Sequence, residues 1–194
     1  MRSAVRWIAV VALVGAAFGV GTVVSQDQGA GGLEAYRKEW KRLATPGEGH
    51  KKLDVFTGVW TASTPTVPEA GLFAARWMLG GRFMMLAAKS DEEAGPTARA
   101  FAILGYDNAF EKYVMVNTSN GQTFISYMIG TADADGKVFT FGTEMLDPVL
   151  KCKIKVRSVI TVASKDEFHW ETWVDYLNGK PELKTLDSTF KRKE

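Results

Sequence analysis

The chain has 194 residues, of which 46% are hydrophobic and 24% are charged, a composition that suits one domain with a full hydrophobic core. The formal net charge is +2, and two of the 24 basic residues, Arg2 and Arg6, belong to an N-terminal leader. The remaining 22 basic residues are balanced by 22 acidic ones, so charge gives no support for binding nucleic acid or an anionic membrane surface.

Residues 1–26 have the features of a signal peptide or a membrane anchor. Arg2 and Arg6 precede an uncharged, apolar run from Trp7 to Gln26, which is the arrangement of a secretory signal. The run is also long enough to approach a bilayer span, so an uncleaved anchor is the alternative, and the segment would then be the chain's only membrane contact. Both interpretations predict an exported protein, either periplasmic or anchored on the extracytoplasmic side.

Residues 27–45 are predicted to form a Gly-rich spacer followed by a short amphipathic helix. Leu33, Tyr36, Trp40 and Leu43 recur at helical spacing among charged residues, and Pro46 and Gly47 end the pattern. An apolar stripe of this kind predicts a helix that lies on the main domain, and a stalk or membrane-surface helix is the alternative.

From Val55 onward the pattern changes to short runs rich in β-branched and aromatic residues. Asn120-Gly121 and Asp135-Gly136 are strong hairpin signals, and no segment between the runs suits a helical crossover. A long meander must close or leave exposed edges, so residues 46–194 predict an all-β fold, an antiparallel up-and-down β-barrel of about ten strands. The predicted strands lie near 55–64, 71–79, 82–89, 98–106, 110–118, 122–131, 137–145, 152–163, 167–176 and 182–191.

Alternation within these strands predicts which side chains face the interior. In the eighth strand Ile154, Ser158 and Ile160 share the inner face, and in the ninth the inner face is large and aromatic, with Trp170 and Tyr176. The second and third strands, 72–79 and 82–88, are apolar on both faces. Such strands are expected to be covered on both sides, by the 33–43 helix or by a partner chain.

Gly58-Val59-Trp60, at the start of the meander, resembles the Gly-X-Trp of the lipocalins and their wider calycin relatives. In those barrels the tryptophan closes one end, and a basic residue of the last strand lies across it. The resemblance implies that Trp60 forms the barrel floor under Arg192, an arrangement in which a guanidinium can stack on an indole while staying partly hydrated.

A larger set of segments carries a second resemblance, and these segments are Pro46–Trp60, Arg76–Met84, Leu104–Val114, Lys155–Thr161 and the ending TFKRK. Taken together and in this order, they resemble a bacterial family known as domain of unknown function 1579 (DUF1579). The resemblance implies a lipocalin-like barrel without an established ligand or activity, so it implies no catalytic residues.

Catalytic and metal motifs are weak throughout the sequence. His50 and His169 are the only histidines, Cys152 is the only cysteine and can form no intrachain disulfide, and no Gly-X-Ser-X-Gly is present. We therefore predict no catalytic residues, no metal site and no cofactor. Haem is disfavoured because His169 has the parity of Glu171, which places it outside the barrel.

Six residues are candidates for ligand contact: Arg76, Arg82, Tyr106, Trp170, Tyr176 and His50. Arg76 shares a face with Ala74 and Met78, so an inward orientation would require an anion, or a salt bridge to Asp54 or Glu171. His50 lies beside the expected barrel base and is the best titratable candidate.

These residues favour a non-enzymatic protein that binds a small apolar or amphipathic molecule in an aromatic-lined interior. One alternative is a filled barrel that acts as a protein-interaction or structural module. A weaker one is an enzyme with a polar pocket around Arg76, Tyr106 or His50. The sequence leaves the oligomeric state open.

Overall fold

The computed structural model describes residues 30–68, 71–89 and 100–193, so the predicted signal or anchor at 1–26 lies outside the described residues. The chain divides into two compact units at Arg42 and Leu43, of which the second contains the barrel. Within the described residues, no helix has the length and apolar character needed to cross a membrane.

Helix α1, Ala30–Leu43, belongs to the first unit except for its last residue. The helix begins inside the segment predicted as a Gly-rich spacer, and it ends before Pro46 as expected. The Tyr36 and Trp40 rings stack at a centroid separation of 6.3 Å, one turn apart, and both side chains are more than half exposed. On the charged face, Arg42 pairs with Glu39 at 2.7 Å.

The second unit starts with helix α2, Glu48–Lys51, and a 3-10 helix, Lys52–Phe56. Ten strands follow, each antiparallel to the next, and β1 pairs with β10 to close the barrel. The predicted fold class is therefore confirmed, and each strand boundary lies within a few residues of its prediction. The strands are β1 (Gly58–Ser63), β2 (Gly71–Met78), β3 (Phe83–Lys89), β4 (Ala100–Asp107), β5 (Lys112–Ser119), β6 (Ser126–Ala132), β7 (Val138–Leu146), β8 (Lys153–Ser164), β9 (Glu167–Asp175) and β10 (Leu183–Arg192).

The up-and-down topology places alternate connections at opposite ends of the barrel. We call the end that holds the connections after β2, β4, β6 and β8 the closed end, because residues 47–57, the plug, lie there. The other end, the open end, holds the connections after β1, β3, β5, β7 and β9.

Aromatic side chains fill the closed-end half of the interior. Phe56 of the plug lies 5.3 Å from Phe139 and 5.2 Å from Phe168, measured between ring centroids. Phe168 also stacks on Phe190 at 4.5 Å, and the Trp60 ring contacts the Phe168 ring edge-on at 4.8 Å. All five side chains are at most 4% exposed, so this half is a packed core rather than a cavity.

The outer face of the barrel exposes several large apolar side chains. Phe83 of β3 is 37% exposed, so the cover predicted for the second and third strands is incomplete at this residue. Phe101 of β4 is 43% exposed, and Tyr127 and Ile129 of β6 are about half exposed, on strands for which no cover was predicted.

Candidate ligand-binding cavity

The open-end half of the barrel encloses a cavity of about 520 Å³. This volume lies within the range of about 300–1,000 Å³ that is typical of small-molecule sites. The cavity begins where the aromatic core ends, because Phe190 belongs to both. Its apolar lining includes Phe73, Leu86, Met128, Ile154, Trp170 and Phe190.

Polar side chains, but no charged ones, are present among the described residues that line the cavity. Among the described residues that line it there is no Asp, Glu, Lys, Arg or His. Its polar groups are hydroxyls and amides, including those of Asn117, Thr143, Ser158, Thr172 and Ser188. The described lining therefore offers hydrogen bonds without an ion-pair partner.

Three side chains on β8 and β9 form a short hydrogen-bond chain in the cavity wall. The Trp170 indole N–H donates to the Ser158 hydroxyl at 2.7 Å, and the hydroxyls of Ser158 and Thr172 lie 3.0 Å apart. The Ser158 oxygen is also 3.4 Å from the Glu171 carbonyl oxygen. Ser158 is only 1% exposed, so these bonds satisfy a buried hydroxyl.

Ser188 on β10 lies in the same wall and differs from Ser158. Its Cα pairs with that of Trp170 across the β9–β10 ladder, and the residue is 6% exposed. Within the described chain, its hydroxyl makes no side-chain hydrogen bond, although the residue lines the cavity. None of the described residues has a buried side-chain nitrogen or oxygen without a hydrogen-bond partner, so the Ser188 oxygen is accessible from the cavity, where a ligand atom or a water molecule can bind it.

At the closed end, Trp60 and Arg192 form the contact that the Gly-X-Trp resemblance implies. The Arg192 guanidinium carbon lies 4.2 Å from the Trp60 ring centroid, and the Trp60 indole N–H donates to the Phe56 carbonyl at 2.7 Å. Arg192 also donates to the carbonyls of Thr57, Val55 and Lys165 at 2.6, 3.2 and 2.7 Å. The guanidinium thus ties the plug to the β8–β9 turn.

The Gly-X-Trp motif requires a glycine at position 58 for a geometric reason. Gly58 has a φ of +130°, a value that L side chains rarely adopt, and a Cβ at this position would lie 2.4 Å from Arg192 Nη1. The absence of a side chain lets the guanidinium approach the backbone and cover the indole.

His50 and Tyr106 lie together at the closed end, away from the cavity lining. The His50 ring lies 5.8 Å from the Tyr106 ring in an edge-on arrangement, and its Nδ1 accepts from the Gly47 backbone N–H at 3.1 Å. Burial lowers the pKa of His50, and the nearby positive charge of Arg82 lowers it further.

Neighbouring tyrosines hold the plug in place. The Tyr113 hydroxyl donates to the Gly49 carbonyl at 3.0 Å, and burial raises the pKa of Tyr113 to about 12. A Cβ on Gly49 would lie about 2.5 Å from atoms of the Tyr106 ring, so the ring packs directly on the glycine. His50 and Tyr106 therefore contribute to the closure of the barrel.

Arg76 does not face the interior, so the condition under which its charge would be buried is not met. Trp60 pairs with Phe73 between β1 and β2, and paired residues share a face, so Phe73 and Ala75 point inward and Arg76 is exposed. The two carboxylates suggested as its partners bind elsewhere, Asp54 to the Trp77 indole N–H at 2.7 Å and Glu171 to Lys184 at 2.6 Å.

Of the six sequence candidates for ligand contact, only Trp170 lines the cavity. Arg82 donates to the carbonyls of Leu79 and Gly80 in the β2–β3 turn, and Tyr176 follows β9 at the open end without being part of the lining. Ser188 was missed, and its inner parity with Phe190 on the last strand is the signal that could have indicated it.

His169 lies on the outer face, as its parity predicts. Its Nδ1 is 3.0 Å from the Thr189 hydroxyl, and its Nε2 is 3.2 Å from a Glu167 carboxylate oxygen. In the part of the chain that the structure describes, no group of three or more His, Cys, Asp or Glu side chains is arranged to hold a metal ion.

A closed antiparallel barrel of ten strands, with a Gly-X-Trp floor at one end and a cavity at the other, is a lipocalin-like barrel. The chain belongs to the family described as protein of unknown function (DUF1579), whose sequence profile matches residues 45–192. The match covers the plug and all ten strands, and it confirms the family resemblance. The search of curated proteins gives no match.

Proposed function

We propose that this protein binds a small apolar or amphipathic molecule in the barrel cavity and does not transform it. The observation that carries the proposal is the cavity of about 520 Å³ next to an aromatic core that fills the other half. A void forfeits the packing contacts that its lining would otherwise make, and an occupant restores them. Apolar ligand surface removed from water adds about 25 cal/mol per Å².

The leader at 1–26 supports an exported location for this binding, either in the periplasm or on an anchor at the outer face of the membrane. N-terminal sequencing of the protein recovered from a periplasmic fraction distinguishes the two. A mature N-terminus near residue 27 supports cleavage, whereas an intact leader in the membrane fraction supports the anchor.

Native mass spectrometry and probe displacement test the binding proposal. Full-length protein is expected to retain a co-purifying molecule or to bind the fluorescent apolar probe N-phenyl-1-naphthylamine with one site per barrel. The variant Ala102→Phe fills the cavity, because Ala102 is 5% exposed and belongs to the lining. It should therefore lose the probe.

Ala87→Phe is the matched control. Ala87 lies on the adjacent strand and pairs with the exposed Phe101, so the added ring points outward. The control should bind like the parent protein. Equal probe binding by the parent and by a folded Ala102→Phe variant would show that the probe lies outside the cavity.

The two alternative functions, an interaction module with a filled barrel and an enzyme, have less support from the structure. A filled barrel describes only the closed-end half, where the aromatic side chains meet. An enzyme with a polar pocket around Arg76, Tyr106 or His50 would need a pocket at one of these side chains, and none of the three lines the cavity. His50 and Tyr106 contact each other, but Arg76 is exposed on the outer wall of β2.

A further inference from the structure

We infer that the cavity selects an uncharged amphiphile, such as a fatty alcohol or ester, whose oxygen binds at Ser188 and Thr172, and that it rejects a free carboxylate. The inference rests on the proposed binding function and names the ligand class for the same cavity.

The charge of the cavity lining favours a neutral ligand. The described lining has no cationic side chain, so a carboxylate in the cavity would lose its hydration without gaining an ion pair. The cost of burying an unpaired charge is large enough to lower affinity by at least about tenfold relative to a neutral ligand of the same length. A hydroxyl or ester loses much less hydration and can be compensated by single hydrogen bonds.

Ser188 offers a hydroxyl group to a ligand oxygen. Its hydroxyl is accessible from the cavity and makes no side-chain hydrogen bond within the described chain, while Phe190 and Leu186 on the same strand provide apolar walls. A ligand oxygen at this position would satisfy the hydroxyl, which can act as donor or acceptor. A carbonyl, ester or alcohol oxygen fits this requirement.

The hydrogen-bond chain of Trp170, Ser158 and Thr172 leaves Thr172 as a second contact for the ligand. Ser158 accepts the Trp170 indole N–H and is 3.0 Å from the Thr172 oxygen, compared with 3.4 Å from the Glu171 carbonyl. If Ser158 donates to Thr172, the shorter of the two contacts, the Thr172 hydroxyl proton is free to be donated into the cavity. Chains of hydrogen bonds polarise one another, which strengthens the terminal donor.

The two hydroxyls can serve one ligand headgroup. Thr172 pairs with Leu186 across the β9–β10 ladder, so Ser188 is its diagonal neighbour on the same face. Such neighbours are about 7–8 Å apart, a distance that one headgroup can bridge. Phe190 joins this wall to the filled half, which places the headgroup deep in the barrel.

A matched ligand series tests the inference. Decan-1-ol, methyl decanoate and decanoate are titrated into full-length protein at neutral pH, with displacement of N-phenyl-1-naphthylamine as the readout. The alcohol and the ester should bind at least about tenfold more tightly than decanoate. Decanoate should gain affinity as the pH falls toward the pKa of its carboxyl group, because the neutral acid then forms.

The outcomes separate the two claims. If none of the three ligands binds and the probe itself has no site, the proposed function fails. If decanoate binds at neutral pH as tightly as decan-1-ol, the selection for neutral ligands is overturned while the binding function stands.

The variant Ser188→Ala tests the headgroup contact. It should weaken the binding of decan-1-ol by about 3- to 10-fold, the effect of one neutral hydrogen bond, and leave the affinity for decane unchanged. Thr140→Val is the control, since Thr140 is an exposed hydroxyl residue on the outer face of β7. Unchanged decan-1-ol affinity in Ser188→Ala would mean that water, not ligand, satisfies this hydroxyl, and would overturn the contact.

Thr172→Val provides an independent variant of nearly the same shape. It should show the same selective loss for decan-1-ol, with decane again unaffected. Equal losses for decan-1-ol and decane in this variant would indicate a change of cavity shape and would contradict a hydrogen bond from Thr172.

Discussion

The closed end and the open end of this barrel are built in different ways. At the closed end the plug is tied to successive turns by hydrogen bonds to backbone carbonyls. Lys52 donates to Asp133 and Ala134 at 3.0 and 2.9 Å, and Asn108 donates to Leu43 and Thr45, just before the plug, at 2.8 Å. At the open end, the described side chains that line the cavity are uncharged. The two ends therefore differ in packing, because the plug closes one end and the other contains a cavity.

The family segments follow the same division. Pro46–Trp60, Arg76–Met84, Leu104–Val114 and the TFKRK ending all contain closed-end residues of the plug, the turns or the last strand. Lys155–Thr161 reaches the cavity through Val156 and Ser158, and the TFKRK ending reaches it through Phe190. The family segments therefore specify mainly the closed end and contribute few residues to the cavity.

The largest expected effect is that of Trp60→Ala at the closed end. Trp60 is 1% exposed, contacts Phe168 and donates to the plug, so its truncation should lower the free energy of unfolding by about 3–5 kcal/mol. Denaturant unfolding measures the change. Trp40→Ala on exposed α1 is the control, with an expected change within about 0.5 kcal/mol. A near-neutral result for Trp60→Ala would mean that the closed end does not depend on its floor.

Gly58→Ala should destabilise the same end by about 1–3 kcal/mol, because alanine is strained at this positive φ and the new Cβ displaces the Arg192 guanidinium. Gly47→Ala is the matched control in the plug, since nothing lies within 4 Å of a Cβ there and its φ is −131°. Thermal melts of the two variants should differ clearly. Equal melting temperatures would contradict the role assigned to Gly58.

Local signals in the sequence were sufficient for the strands and for most inner faces. Turn residues set the hairpins, and alternation in β8 and β9 placed Ser158 and Phe168 inside. The inward face of β2 was not determined in this way, because Leu72 and Ala74 on one face are as apolar as Phe73 and Ala75 on the other, and Arg76 is the strand's only charged residue. The pairing of Trp60 with Phe73 determines which face of β2 points inward, and that register depends on the tertiary structure.

The candidate site was harder to predict for a related reason. Its polar groups are single serines and threonines, which are common in strands and form no motif. Ser188 and Thr172 lie on different strands and meet only through the β9–β10 register, which shifts between Lys184 and Leu186. The grouping of His50 with Tyr106 likewise depends on where the plug packs.

At the open end, Met145→Lys should change ligand preference with little effect on folding. Met145 lines the cavity and is partly exposed, so a lysine there can reach the interior and keep its ammonium hydrated. We expect decanoate affinity at neutral pH to rise about tenfold, equivalent to about 1.4 kcal/mol. Leu146→Lys points outward and should have no effect. An unchanged preference in Met145→Lys would show that charge does not set the selectivity of the open end.

The smallest expected effect concerns pH and the closed end. Because burial lowers the pKa of His50 in the folded protein, the unfolded state binds its proton more readily. The stability contributed by neutral His50 is therefore complete above the ordinary histidine pKa of 6.5 and is lost as the pH falls below that value toward the lower pKa of the folded state. His50→Asn keeps an acceptor for the Gly47 N–H and removes the titration, so the unfolding free energy of this variant should fall less between pH values of about 7 and 5. If His50→Asn keeps the parent's slope between these pH values, the pH dependence arises elsewhere, and the closed end is less sensitive to proton binding than the burial of His50 implies.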